Sequence, residues 1–216
     1  MTETSDPTEP QSYQRRKDKR PEEILDAAIE EFYDHGFAKA RMDRIARGAG
    51  VSRATLYVYF DSKEALFDAV ANHAMGRFVE ETHGLAVDFT GTTEALLTQV
   101  FTQLYAMMQS PRNSVIMRIL ISEGRQQPEL VARYHSAVLS RGQKALTHIL
   151  ARGVARKEVR PGAAAATPQI LVAPAIFFLI NTMVFHEVAP MDPDTFLRAH
   201  LDLVMRGISV PPSVPS

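Results

Sequence analysis

The sequence predicts an all-α protein: an N-terminal three-helix helix-turn-helix domain joined to a larger C-terminal helical domain, about nine helices in all. Three observations predict it. Apolar residues recur at helical spacing along most of the chain, and no stretch alternates with period two for long enough to form a sheet. Residues 42–66, MDRIARGAGVSRATLYVYFDSKEAL, set two short amphipathic segments on either side of a glycine turn.

The elements follow in order. Residues 1–20 read as a disordered, basic leader, with Arg15-Arg16-Lys17-Asp18-Lys19-Arg20 either solvated or serving as an arm on phosphates or the minor groove. Pro21 suits the first turn of a helix over 21–35, and Ile24, Ala28 and Phe32, with Leu25 and Ile29, form its buried stripe. Ile45 and Ala46 share one face of the next helix, and Gly48 and Gly50 supply the turn, where Gly50 takes the positive φ that other residues resist. Ser52 caps the following helix through its hydroxyl oxygen. Leu56 and Phe60, four apart, point to the core, whereas Arg53, Thr55, Tyr57 and Tyr59 reach outward.

Asp61-Ser62-Lys63-Glu64 is a capping signal for a long helix to about residue 82, with Leu66, Val70, Ala74 and Phe78 buried. Further helices are expected over 93–109, 112–123 and 128–156. Thr167 and Pro168 read as N-cap and first turn of another, kinked at Pro174, and Pro193 opens a last one ending near Gly207. The expected division is a helix-turn-helix domain over 21–66, a helical domain over 67–208 and a flexible tail over 209–216.

The 216 residues, 45% hydrophobic, are enough for a compact core and a small appended domain. Net charge is only −1, but residues 39–63 hold six basic side chains against two acidic ones, a surplus of four that leaves −5 elsewhere. That polarity presents one cationic surface to a phosphate backbone. The absence of cysteine removes disulfides and thiolate chemistry, and the polar start is no secretory signal, so a cytoplasmic protein is expected. The seven histidines show no metal-ligand spacing such as HExxH, and no phosphate-cradling glycine loop or nucleophile elbow appears. No catalytic residue, cofactor or metal is expected. Residues 163–185 lack charge, but Pro168, Gln169, Pro174, Asn181 and Thr182 interrupt them, which favours a buried interface helix over a membrane span.

The string IA..AGVS..TLY.YF.SKE.L, preceded by an amphipathic helix ending in Gly36-Phe37, closely resembles the DNA-binding domain of TetR-type transcriptional regulators over 21–78. RILISEGRQQPEL, residues 118–130, resembles the ligand domain of an AefR-like subgroup of that family. The first resemblance implies that the helix at 53–59 enters the major groove. Arg53 is the expected base reader, since a guanidinium makes a two-pronged bond to guanine O6 and N7. Ala54, often glycine in the family, lets the backbone approach closely and can touch a thymine methyl. Thr55, Tyr57, Tyr59 and Lys63 match phosphate-holding positions, with Ser52 at the start of the same helix. The sequence departs from the family at Arg41, where a Thr or Ser usually caps the first helix; arginine has no oxygen to cap with, so a phosphate contact is its expected role. Arg44 is likewise assigned to phosphate, with plain solvation as the alternative.

The resemblance further implies a C-terminal effector-binding and dimerising domain, whose late helices pair across a two-fold axis. Phe177, Phe178, Ile180, Val184, Phe196, Leu203 and Val204 are the expected interface. Phe101, Leu104, Tyr105, Met108, Met117, Leu120, Ile121, Tyr134 and Val138 concentrate apolar and aromatic surface and are read either as pocket lining or as plain core. Asn181 and His186, with Tyr105, Tyr134 and His135, offer polar groups. The expected function is a dimeric repressor released from a near-palindromic operator by a small, moderately apolar effector; the alternative is a constitutive DNA-binding or protein-tethering module. The expected partners are double-stranded DNA, a second copy of the chain and a small-molecule effector, with no membrane.

Overall fold

Helix-forming Gln, Arg, Lys and Glu dominate the start of the described chain, and α1 runs from Glu9 to Lys39. This computed structural model describes residues 9–162 and 167–211. Residues 1–8 of the expected leader, residues 212–216 of the expected tail and the side chains of Arg15, Arg16, Lys17 and Lys19 lie outside that description. The backbone of 9–20, expected to be disordered, is helical, and Pro21 lies inside α1 rather than at its start.

The chain divides into two units, at Val70 and Ala71. In the first, α1 is interrupted at Gly36, whose φ of 71° redirects the backbone toward Phe37. α2 (Met42–Gly48) and α3 (Arg53–Tyr59) follow, then α4 (Lys63–Ala71). The turn between α2 and α3 is a Schellman closure: Val51 N–H donates to Ala46 O at 2.9 Å and Gly50 N–H to Arg47 O at 3.1 Å. Gly50 has the left-handed φ of 63° that this closure needs. A Cβ on Gly48 would stand 3.3 Å from the Ala27 Cβ, so a small residue there lets α2 sit close on α1. Phe32, Phe37 and Phe67 pack as a triangle with centroids 5.6 to 6.1 Å apart, above buried Ile24, Ile45, Leu56 and Leu66.

The second unit is also helical. A π-helical turn (Asn72–Gly76) leads into α5 (Arg77–Asp88), then α6 (Thr93–Met108), α7 (Pro111–Glu123) and α8 (Pro128–Tyr134). A second π-turn (His135–Leu139) joins α8 to α9 (Ser140–Ala155). A 3-10 turn (Pro168–Leu171), α10 (Ala173–Val184) and α11 (Pro193–Ile208) complete it. The expected long helices over 61–82 and 128–156 are thus each interrupted by a π-turn. Pro174 does not kink a helix; it stands in the first turn of α10, where its missing N–H leaves no bond unmade. Pro168 opens only the 3-10 turn, and Thr167 makes no side-chain cap.

α6 is the central rod, packed by α5, α7, α9, α10 and α11. Leu96, Leu97, Val100 and Phe101 are at most 2% exposed along it. Its start is stapled by the segment after α9. Glu158 accepts hydrogen bonds from the Thr93 backbone N–H at 2.7 Å and the Thr93 hydroxyl at 2.6 Å. Arg152 donates to the carbonyls of Phe89 and Gly91. Among the described residues the only β-pairing is the isolated bridge Val159–Ser209, and no helix is long and apolar enough to cross a membrane.

Candidate nucleic-acid interface and effector core

The geometry of α3 follows from its caps. Ser52 accepts from the Thr55 N–H at 3.0 Å, and the two hydroxyls lie 2.8 Å apart, so both are held at the helix start. Leu56 is fully buried and anchors the inner face. Arg53, Ala54, Tyr57 and Val58 are exposed, while Thr55 and Tyr59 are half-buried at its sides. The Arg53 guanidinium lies over the Tyr57 ring, 5.6 Å from its centroid, which directs a long flexible side chain along the helix.

Around α3 the basic side chains divide into exposed ones, Arg41 and Arg47, and half-buried ones, Arg44 and Lys63. Arg41 is 64% exposed, forms no side-chain cap on α2, and instead donates from Nε to Asp43 at 3.0 Å. This contact holds the Asp43 carboxyl below its usual range, and an aspartate in the first turn of α2 also complements the helix dipole. Arg47 is exposed. Arg44 is used otherwise than expected: it donates to buried Glu31 on α1 at 2.7 Å and to the Lys39 carbonyl at 2.8 Å, bracing α2 on α1. Glu31 also receives the Arg41 N–H at 2.9 Å, so one buried carboxylate serves the N-terminus of α2 where the hydroxyl cap is missing.

Lys63, expected on phosphate, donates to the Ala38 and Ala40 carbonyls at 3.1 and 3.4 Å and stands 4.6 Å above the Phe37 ring. Its ammonium fastens α4 to the end of α1. Both side chains meet partners that local sequence does not reveal, a buried carboxylate for Arg44 and the carbonyls at the end of α1 for Lys63.

In the second unit, Phe101, Leu104, Tyr105, Met108, Tyr134, Val138 and Asn181 are all buried, at most 5% exposed. Met117 and Leu120 are half-buried. Ile121, 64% exposed, and His186, exposed beyond the end of α10, are corrected: both face solvent instead of the interior. The centre of the core is a residue the sequence reading left out. His200 stacks on Phe101 with centroids 4.7 Å apart, and its Nε2 lies 2.8 Å from the Leu171 carbonyl. A carbonyl only accepts, so Nε2 holds the proton, and Nδ1 accepts from the Tyr105 hydroxyl at 3.0 Å. Burial pushes His200 below its ordinary value and Tyr105 up to about 12. The signal was in the sequence, since His200 lies midway between Phe196 and Val204 at four-residue spacing. Tyr134 donates to the Met75 sulfur at 2.8 Å, joining the end of α8 to the first π-turn.

Of the expected interface residues, Phe177, Ile180, Val184 and Leu203 are exposed, up to 67% for Leu203. Phe196 is half-buried against Phe177. Phe178 and Val204 are corrected: at 2% and 7% exposed they point inward, one position along from exposed Phe177 and Leu203. Among the described residues no cluster of His, Asp and Glu is arranged to hold a metal.

The family of bacterial regulatory proteins of the tetR type matches residues 24–70, and the tetracyclin repressor-like C-terminal domain matches residues 87–204, more than half of the chain. The chain belongs to the TetR family. It is a DNA-binding transcriptional regulator and not an enzyme, as are its family relatives. The fatty acid metabolism regulator protein of Bacillus subtilis is 25% identical over 89% of this chain and 98% of its own length. The HTH-type transcriptional regulator SrpR of Pseudomonas putida is 30% identical over 58% of this chain and 55% of its own. The TetR fold is shared with two ligand-bound structures. SmeT of Stenotrophomonas maltophilia in complex with triclosan has a TM-score of 0.76 at 23% identity, over 91% of this chain and 97% of that one. FadR of Bacillus subtilis with stearoyl-CoA has a TM-score of 0.68 at 20% identity, over 87% and 98%.

Proposed function

We propose that this TetR-family regulator is a homodimeric repressor that leaves a near-palindromic operator when a small, moderately apolar effector occupies its C-terminal unit. The observation that carries the reading is the uncovered apolar stripe Phe177, Ile180 and Val184 on α10 with Leu203 on α11, which a second copy of the chain covers by two-fold symmetry. Two copies of α3 then present Arg53, Ala54 and Tyr57 to successive major grooves, with Ser52, Thr55 and Tyr59 beside them and Arg41 and Arg47 at the flanking phosphates. Arg44 and Lys63 hold α2 and α4 in place for that contact. The effector class is supported by the apolar, aromatic interior around Phe101, Tyr105, Met108 and Tyr134, and by the triclosan and stearoyl-CoA held by the structural neighbours.

An effector releases DNA only if it binds the DNA-incompetent state more tightly. Triclosan and stearoyl-CoA are the first probes. A molecule present at about 100 times its dissociation constant adds roughly 2.7 kcal/mol of stability, and the same molecule must lower operator affinity in fluorescence anisotropy. A dimer making about 6 to 10 phosphate contacts loses roughly 10³ to 10⁵ in affinity between about 50 and 200 mM salt; a flat salt response contradicts DNA recognition. The close packing of Phe101, Tyr105 and His200 favours a second reading, a constitutive DNA binder whose interior is filled by its own side chains. Melting and operator affinity unmoved across a panel of apolar metabolites would establish it.

A further inference from the structure

In the last turn of α3 one branched apolar side chain is left uncovered: Val58 is 82% exposed. Single exposed valines are common on protein surfaces; what distinguishes this one is its place. The exposed positions of α3 are 53, 54, 57 and 58, which form one face of a helix whose opposite side holds buried Leu56. That face has two rows. Arg53 and Tyr57 make a polar row, with the guanidinium laid over the ring. Ala54 and Val58, four apart, make a row that displays only methyl groups. A β-branched side chain in a helix has essentially one χ1 rotamer, so the direction of the Val58 isopropyl group is fixed before anything binds. Exposed Arg41 and Arg47 give the surface around it the cationic character that a polyanion seeks and an apolar protein surface does not.

We propose that the Ala54–Val58 row reads the C5-methyl group of one thymine in each operator half-site, so that Val58 sets specificity beside the guanine contact of Arg53. The inference rests on α3 being the element that enters the major groove. Thymine alone presents a methyl group there, whereas cytosine presents an amino donor that a valine would leave unpaired. Attraction to one base and an unmade hydrogen bond against the other therefore act in the same direction. With α3 lying along the groove, five residues of helix rise about 7.5 Å, which sets this thymine about two base-pair steps from the guanine.

The test uses the full chain. Its site is selected from random-sequence duplex DNA, and affinity is then measured with each thymine in turn replaced by deoxyuridine, which removes the methyl group and nothing else. One thymine per half-site is expected to weaken binding about four-fold when replaced, the effect of one buried methyl. Val58→Ala is expected to erase the thymine-to-uracil difference at that position alone, with an unchanged melting temperature because the side chain is exposed. A duplex bound specifically but insensitive to every thymine methyl overturns the inference and leaves DNA recognition standing, as does methyl sensitivity that survives Val58→Ala. Failure to enrich any duplex overturns the recognition reading and the inference with it.

Discussion

Arg44 donates to Glu31 across 2.7 Å, and the accepting carboxylate is only 8% exposed. The same carboxylate takes the Arg41 N–H, so the start of α2 hangs on one buried acid from α1. Glu31→Gln leaves the half-buried Arg44 guanidinium without its counter-charge. A loss of about 2 kcal/mol is expected, less than for a fully buried pair because Arg44 reaches solvent. Urea unfolding with an unchanged m-value measures it, and a variant as stable as the parent would show that α2 is held by packing alone.

Arg53→Lys keeps the charge and removes the fork. The expected result is a loss of about 1 to 3 kcal/mol of preference for guanine at one operator position, with the salt slope of binding unchanged. Competition between duplexes differing at that base measures the first, and a salt titration the second. If preference survives, Arg53 is a phosphate contact.

The elements that were legible in the sequence are those whose signals are local. Ser52 caps α3, Gly50 takes its left-handed turn and Leu56 faces inward because each depends on neighbours within a few residues. Glu31 with Arg44 is thirteen residues apart and Lys63 with Ala38 twenty-five, so a charge pattern read along one helix misses both. The same limit applies to interiors. Helical spacing places Phe178 and Val204 on apolar helices but does not say which side faces the subunit's own core and which faces out. The start of α1 departs from expectation for another reason: Pro21 looks like a helix start, yet the residues ahead of it are strong helix formers.

Glu158 provides a pH test of the staple on α6. Hydrogen bonds from the Thr93 hydroxyl and backbone, with Arg156 alongside, hold its carboxyl down to about 2, against an ordinary 4.5. Because the folded value lies below the unfolded one, the stabilisation is complete above about pH 4.5 and is lost as pH falls toward about 2. Denaturation midpoints of the parent and Glu158→Gln are therefore expected to differ most near neutrality and to converge in that acid window. A constant difference would mean that the bonds to Thr93 survive protonation.

His200 gives linkage of the same sign at a higher pH, with the neutral form favoured by the fold where Glu158 favours the charged one. Burial depresses its value below the ordinary 6.5, so at acid pH the unfolded chain takes up a proton that the folded core refuses. Stability is thus unaffected by this group above about pH 6.5 and declines as pH drops below it. His200→Gln, which retains a donor for the Leu171 carbonyl, is expected to remove this part of the decline at the cost of the Phe101 stack. Thermal melting between neutral and mildly acid pH distinguishes the two chains.

The apolar stripe on α10 and α11 is tested by charge. Leu203 is 67% exposed and Phe177 53%, so a glutamate at either position leaves the subunit's own core in place. In a dimer that buries the stripe, Leu203→Glu sets two like charges close to the two-fold axis in a desolvated seam. The expected outcome is a folded monomer at micromolar concentration in analytical ultracentrifugation, with the circular dichroism of the parent. Operator affinity falls with it, because a single α3 reads only one half-site. A parent chain that is itself monomeric would instead assign the stripe to a different partner, and half-site spacing in the selected DNA would then be unconstrained.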